Sequence, residues 1–119
     1  MLGRSSEYFL AFKDNQLNGK EIKRLLFSST INGFNLAGQH WWIGRKKNGE
    51  VAFRGPGSIQ FDNGRSWIEG DVLFTQFQKR LWGVEYCSTV FRNPSGTHQN
   101  RDEYFFFSDT GVIPFSLVQ

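Results

Sequence analysis

His40 and His98, the lone Cys87 and two close acid pairs, Glu69/Asp71 and Asp102/Glu103, are the side chains of this 119-residue chain that could ligate a metal, attack a carbonyl or move a proton. A zinc or haem site needs His or Cys at short fixed spacings. Neither histidine has such a neighbour, so no metal and no other cofactor is expected. A single Cys also excludes an internal disulfide framework. Cys87 lies inside the strand-like run Glu85-Tyr86-Cys87-Ser88-Thr89, away from the helix N-terminus or cationic neighbour that makes a thiol reactive. It reads as a packed small hydrophobe. Gly55-Pro56-Gly57-Ser58 lacks the Lys and helix of a phosphate loop and reads as a strand connection. Both acid pairs fall at turns and read as solubilising groups. Nothing here assembles a catalytic site, so the chain reads as a non-enzyme.

Binding is another matter. Arg65, Trp67 and Glu69 alternate onto one face of a strand. On an outer face this is ordinary cross-strand pairing. On an inner face it places a charge beside an aromatic wall, as ligand cavities do. Trp67 is then either core or the lining of a barrel mouth, with Arg65 able to meet an anionic ligand. Trp41 and Trp42 point to opposite faces, so one of them reports the interior. Tyr86, Val90 and Arg92 share a face. The candidate ligand-binding set is Arg65, Trp67, Trp41, Tyr86 and Arg92. The ten-residue polar loop Asn93–Asp102 exceeds what a hairpin needs and reads as a disordered tip or a functional loop.

Lys and Arg total 14 against 11 Asp and Glu, a net charge of +3, with both signs spread along the chain. Arg45-Lys46-Lys47, just before Asn48-Gly49, reads as a charged hairpin tip. A nucleic-acid-binding barrel using Arg45, Lys46, Lys47, Lys79 and Arg80 with exposed aromatic residues is an alternative, although the balanced charge argues against strong nucleic-acid binding. A small enzyme with carboxylates at a barrel mouth is another. No stretch is long and apolar enough for a signal peptide or a membrane span. The sequence as read therefore suggests a cytoplasmic location, or a periplasmic one where a signal has been removed. Oligomeric state is left open.

The elements that position these residues follow from capping, periodicity and turns. Residues 1–16 read as a lead-in, with a short helix from Ser5 or Ser6 to Phe12, and residues 17–119 as one domain. Asn18 and Glu21 have the spacing of a capping box, with Leu17 and Ile22 as its hydrophobic staple. They open a helix over Gly19–Phe27 whose face is Ile22, Leu25 and Leu26. Short β segments follow: Thr30–Phe34, Gln39–Arg45, Glu50–Arg54, Ser58–Phe61, Arg65–Glu69, Val72–Lys79, Val84–Arg92, Glu103–Ser108 and Val112–Val118. Asn48-Gly49 favours a tight hairpin, and Asp62-Asn63-Gly64 reads as a second turn. Sequential antiparallel strands make a meander, and about eight suffice to close it and remove its edges. The fold expected is mainly β, an antiparallel meander closing into a roughly eight-stranded, lipocalin-like barrel with one short N-terminal helix packed on it. A two-sheet sandwich is the alternative. Tyr104-Phe105-Phe106-Phe107 puts aromatic rings on both faces of one strand, so both faces need cover. That cover comes from the helix, from the residues before it, or from a partner.

Four groups of residues carry a resemblance. They are Leu17-x-Gly19-x-Glu21-Ile22-x-x-Leu25-Leu26, Gly64-x-x-Trp67-x-x-Gly70-Asp71-x-Leu73, Tyr86-Cys87 followed by Val90-Phe91-Arg92, and Tyr104-x-Phe106 before Asp109-x-Gly111. Together they resemble a small bacterial β-rich domain family of unknown function, found alone behind signal peptides or appended to adenylate/guanylate cyclase chains. The match runs from Leu17 to Val118 and carries over no catalytic residue. It implies an accessory domain. Any cyclase activity would belong to a fused or neighbouring domain, because a cyclase catalytic domain is larger and has an α/β scaffold with two metal-binding Asp. The function expected is a non-catalytic barrel that binds a small ligand or a partner domain.

Overall fold

The computed structural model describes residues 13–93 and 103–118. A 3-10 turn over Lys13–Asn15 leads into helix α1 (Gly19–Leu26). Eight strands follow: β1 (Ser29–Phe34), β2 (His40–Arg45), β3 (Glu50–Arg54), β4 (Phe61–Glu69), β5 (Val72–Phe77), β6 (Tyr86–Arg92), β7 (Tyr104–Ser108) and β8 (Gly111–Leu117). Each pairs antiparallel with the next, and β8 pairs with β1, so the sheet is a closed barrel. Barrel and helix are as the sequence predicts. The lead-in helix to Phe12, most of the loop Asn93–Asp102 and His98 lie outside the described residues.

The helix forms because its first turn satisfies itself. Asn18 Oδ1 accepts from the Glu21 N–H at 2.9 Å, and Glu21 Oε1 accepts from the Asn18 N–H at 3.0 Å, closing the capping box. The helix stops one residue earlier than expected, since Phe27 is already extended. A Cβ on Gly19 would collide with the Gly70 carbonyl, so glycine lets the helix start against the β4–β5 turn. The Gly19 N–H also donates to Asp71 Oδ1 at 2.9 Å. Leu17, Ile22 and Leu26 are fully buried and Leu25 packs against them, so α1 stops one end of the barrel.

Inward and outward residues alternate as the pleat requires. Trp41, Ile43, Val51, Phe53, Leu73, Phe77, Val90, Phe106 and Phe115 form the interior with the helix face. The second aromatic face of β7 is covered from outside. Phe105 stacks on Phe91 at 5.3 Å, and Gln16 bridges to Phe91, so the 13–16 segment runs along that face.

One predicted turn is not a turn. Asp62-Asn63-Gly64 lies inside β4, paired with Phe53, Ala52 and Val51, so two expected strands merge into one. Turn-forming residues occur here for other reasons. A Cβ on Gly64 would strike the Gln76 carbonyl where β4 and β5 approach closely, and Asp62 points inward to bind backbone N–H groups. The closing pairing is the shortest: only Ile31↔Leu117 and Asn32↔Ser116 align between β1 and β8. Nearer the end of β1, Pro114 offers no N–H and its carbonyl sits where a Cβ on Gly33 would go.

Candidate functional site

The two ends of the barrel differ. At the helix end lie α1, the β2–β3 hairpin tip 46–49 and the β4–β5 turn. At the loop end lie the connections 35–39, 55–60, 78–85 and the β7–β8 turn. Nine large apolar side chains are exposed among the described residues, and eight of them belong to the loop end: Phe34, Leu36, Phe61, Leu81, Trp82, Val84, Val112 and Ile113; only Val118 lies elsewhere. Trp82 is 94% exposed. It and Leu81 both have left-handed backbones, at φ 60° and 55°. That conformation costs an L-residue roughly 1–2 kcal/mol, so strained backbone holds these two side chains out.

The mouth inside this rim is shut by polar groups. Asp62 is buried at the start of β4. Its Oδ2 accepts from the N–H groups of Arg80 at 2.8 Å and Lys79 at 3.0 Å, and its Oδ1 from Asn63 at 2.9 Å. Partial burial alone would push the Asp62 carboxyl up, but these three donors, with Lys79 nearby, outweigh it and hold the group below its ordinary value. The turn so anchored lays Arg80 over the Phe53 ring, 3.8 Å from its centroid. On the adjoining outer wall Phe34 stacks on His40 at 4.5 Å, His40 on Trp42 at 3.8 Å, and Arg54 lies 4.1 Å over Trp42. His40 is thus one layer of an aromatic ladder continuous with the rim.

The expected ligand-binding residues do not converge. Trp41 is interior, near the loop end. Arg65 and Trp67 are on the outer wall: the Trp67 ring stacks on Phe74 at 5.6 Å, Arg65 lies 5.5 Å from it, and its Nε1 donates to Glu69 Oε2 at 3.0 Å. The inner placement is therefore corrected, and Trp67 is neither core nor mouth. The cause is parity, because β4 turns Asp62, Ser66 and Ile68 inward and their neighbours outward. Arg92 is at the helix end, ion-paired with Glu21 at 2.8 Å. The Asn18 N–H and then Arg92 hold the Glu21 carboxyl below its usual range. Tyr86 is interior and stacks on Phe77 at 6.2 Å. Burial pushes its phenol up.

Two further readings are corrected. Cys87 is exposed, because its neighbours Tyr86 and Ser88 take the inward positions. Arg45 is not at the hairpin tip but buried inside the barrel, which leaves Lys46 and Lys47 exposed at the helix end, opposite Lys79 and Arg80. The basic residues of the nucleic-acid alternative thus share no face. A shallow open trough of about 1290 Å³ crosses the outer wall of β1–β5, floored by Thr30, Gly44, Ala52 and Asn63. Comparison with protein-family models, curated proteins and solved structures finds nothing that matches this chain.

The loop-end rim was missed by sequence reasoning, yet its signal is present. Leu36, Leu81 and Trp82 fall between the expected strands, where a chain normally places polar residues, while Val84, expected to open a strand, lies before β6 starts at Tyr86.

Proposed function

We propose that this chain is a non-catalytic binding barrel and that it binds a partner domain with its loop end. The observation that carries this reading is the gathering there of eight of the nine large apolar side chains exposed among the described residues. Patches of this kind mark interaction surfaces. The side chains project from four separate connections around a mouth stopped by Arg80 and Phe53. A surface large enough to touch several of them at once is a better fit than a small molecule. Backbone strain at Leu81 and Trp82 supports the same conclusion, since strain persists where it serves a function. The acids nearest to a catalytic arrangement are committed elsewhere: Asp62 to three N–H groups, Asp71 to the helix start and Glu69 to Trp67. The resemblance to cyclase-appended domains fits this reading, the partner being a neighbouring domain.

The test is site-specific photocrosslinking in the cell that makes the protein. Benzoylphenylalanine is placed singly at Leu36, Phe61 or Trp82, and at Lys20, Lys47 or Glu69 on the helix end. One discrete adduct from the first three positions and none from the others is the expected result. Adducts from the helix end, or none from either, would overturn the reading.

A further inference from the structure

A buried positive charge in the barrel interior has no counter-charge among the described residues. Arg45 follows Trp41 and Ile43 on the inward face of β2 and is 5% exposed. Its Nε donates to Ser66 Oγ at 3.0 Å and its Nη2 to Thr75 Oγ1 at 3.4 Å. The Ser66 and Thr75 hydroxyls are 2.8 Å apart, and the half-buried Tyr86 faces Thr75 across the β5–β6 ladder. Nη1 is buried and has no hydrogen-bond partner among the described residues. Among the described residues, the ionisable side chain that bears on Arg45 is the Tyr86 phenol rather than a carboxylate, and a phenol is neutral at pH 7. Burial pulls the guanidinium down to about 10, so it remains a cation at neutral pH.

A guanidinium carries five N–H donors and no acceptor, and each hydroxyl carries one proton. Two N–H groups are satisfied by Ser66 and Thr75, and those two hydroxyls share one bond with each other. Three N–H groups and one O–H are left, so donors outnumber acceptors around a full positive charge. A buried charge is tolerated when it is paired.

We propose that Arg45, Ser66, Thr75 and Tyr86 form an internal site for one small monovalent anion, a halide or a short carboxylate such as formate, held against Arg45 Nη1. The size limit comes from the same-face neighbours Ile43, Val51, Leu73 and Phe77, which are buried core side chains and leave no path for an organic tail. The charge limit follows from the single guanidinium. This site is independent of the loop-end surface.

The test measures Tm of the full chain while sodium gluconate, too large to enter, is replaced by sodium chloride or sodium formate at constant ionic strength. A ligand that binds only the folded state raises its stability as it saturates, so a saturable rise in Tm is expected in either salt. Arg45→Met, which fills the volume without the charge, should abolish the rise. Thr75→Val should shift it to at least several-fold higher anion concentration. The surface variant Lys46→Gln/Lys47→Gln should keep it. Wild-type crystals grown in bromide give a second readout that needs no variant, an anomalous peak beside Arg45 Nη1. Identical Tm in gluconate and chloride or formate, an undiminished rise in Arg45→Met, or no bromide peak would overturn the site.

Discussion

The two ends of this barrel are stopped in opposite ways. At the helix end the stopper is apolar, Leu17, Ile22 and Leu26, and the rim is charged, with Lys46, Lys47, Glu50 and Glu69 exposed around it. At the loop end the stopper is polar, Asp62 holding the turn that carries Arg80, and the rim is apolar. Burying an aliphatic side chain stabilises the fold by roughly 1.5–3 kcal/mol relative to leaving it exposed. The helix end collects that stabilisation. The loop end leaves comparable side chains in water and spends backbone strain to do so, an arrangement that serves contact with something else rather than the barrel's own stability.

The strongest challenge to this contrast is truncation of matched residues. Leu26→Ala should destabilise the protein by about 2–5 kcal/mol, read from urea unfolding, whereas Leu36→Ala should stay within about 0.5 kcal/mol of wild type. Similar losses at the two positions would erase the distinction. Next in size is Asp62→Asn, which weakens three charge-assisted bonds and should cost about 1–3 kcal/mol. Its pH dependence has a definite sign. The Asp62 carboxyl titrates below its ordinary value in the folded state, so its contribution is complete above the unfolded pKa of about 3.9 and is lost as pH falls through the lower, folded one. Thermal unfolding followed down to pH 2 should show wild type converging on the Asn variant. At the opposite end, Asn18→Ala removes half of the capping box and should cost about 1 kcal/mol, visible as a lowered urea midpoint. Smallest is Trp82→Gly, which relieves a left-handed L-residue and should raise stability by about 0.5 kcal/mol. A gain from deleting a tryptophan would show directly that the ring is not there for stability.

Much of this was readable from residue types. The capping box identifies α1 because Asn18 and Glu21 satisfy each other within one turn, without help from distant residues. Asn48-Gly49 identifies its hairpin for a similarly local reason. Asp62-Asn63-Gly64 misleads because its residues answer to tertiary partners, the Gln76 carbonyl and the N–H groups of Lys79 and Arg80. The Arg65/Trp67 face stayed open because a strand with mixed residues on both faces does not declare its parity; Ser66 looks no more buried than Arg65 until Thr75 and Arg45 are seen beside it. Arg45 itself was legible in part. The alternation Trp41, Ile43, Arg45 points it inward, but its two basic neighbours suggest a solvated run. The loop-end rim is not legible from strand periodicity, because Leu36, Leu81 and Trp82 lie between strands and belong to no alternating pattern.

The β1–β8 seam has a consequence for how the molecule comes apart. The β4–β5 ladder across the barrel runs from Gly64↔Phe77 to Glu69↔Val72, while the seam aligns at Ile31↔Leu117 and Asn32↔Ser116 with one more backbone bond from Val118 to Thr30. Local opening favours the region with the fewest bonds to break, so the amides of this ladder should exchange with solvent before those of β4 and β5. Parting there turns a cylinder without edges into a ribbon with two, and an unpaired edge recruits other strands. Phe34 and Val112 flank the seam at its loop-end margin, so the first strand edge to be uncovered is also the stickiest.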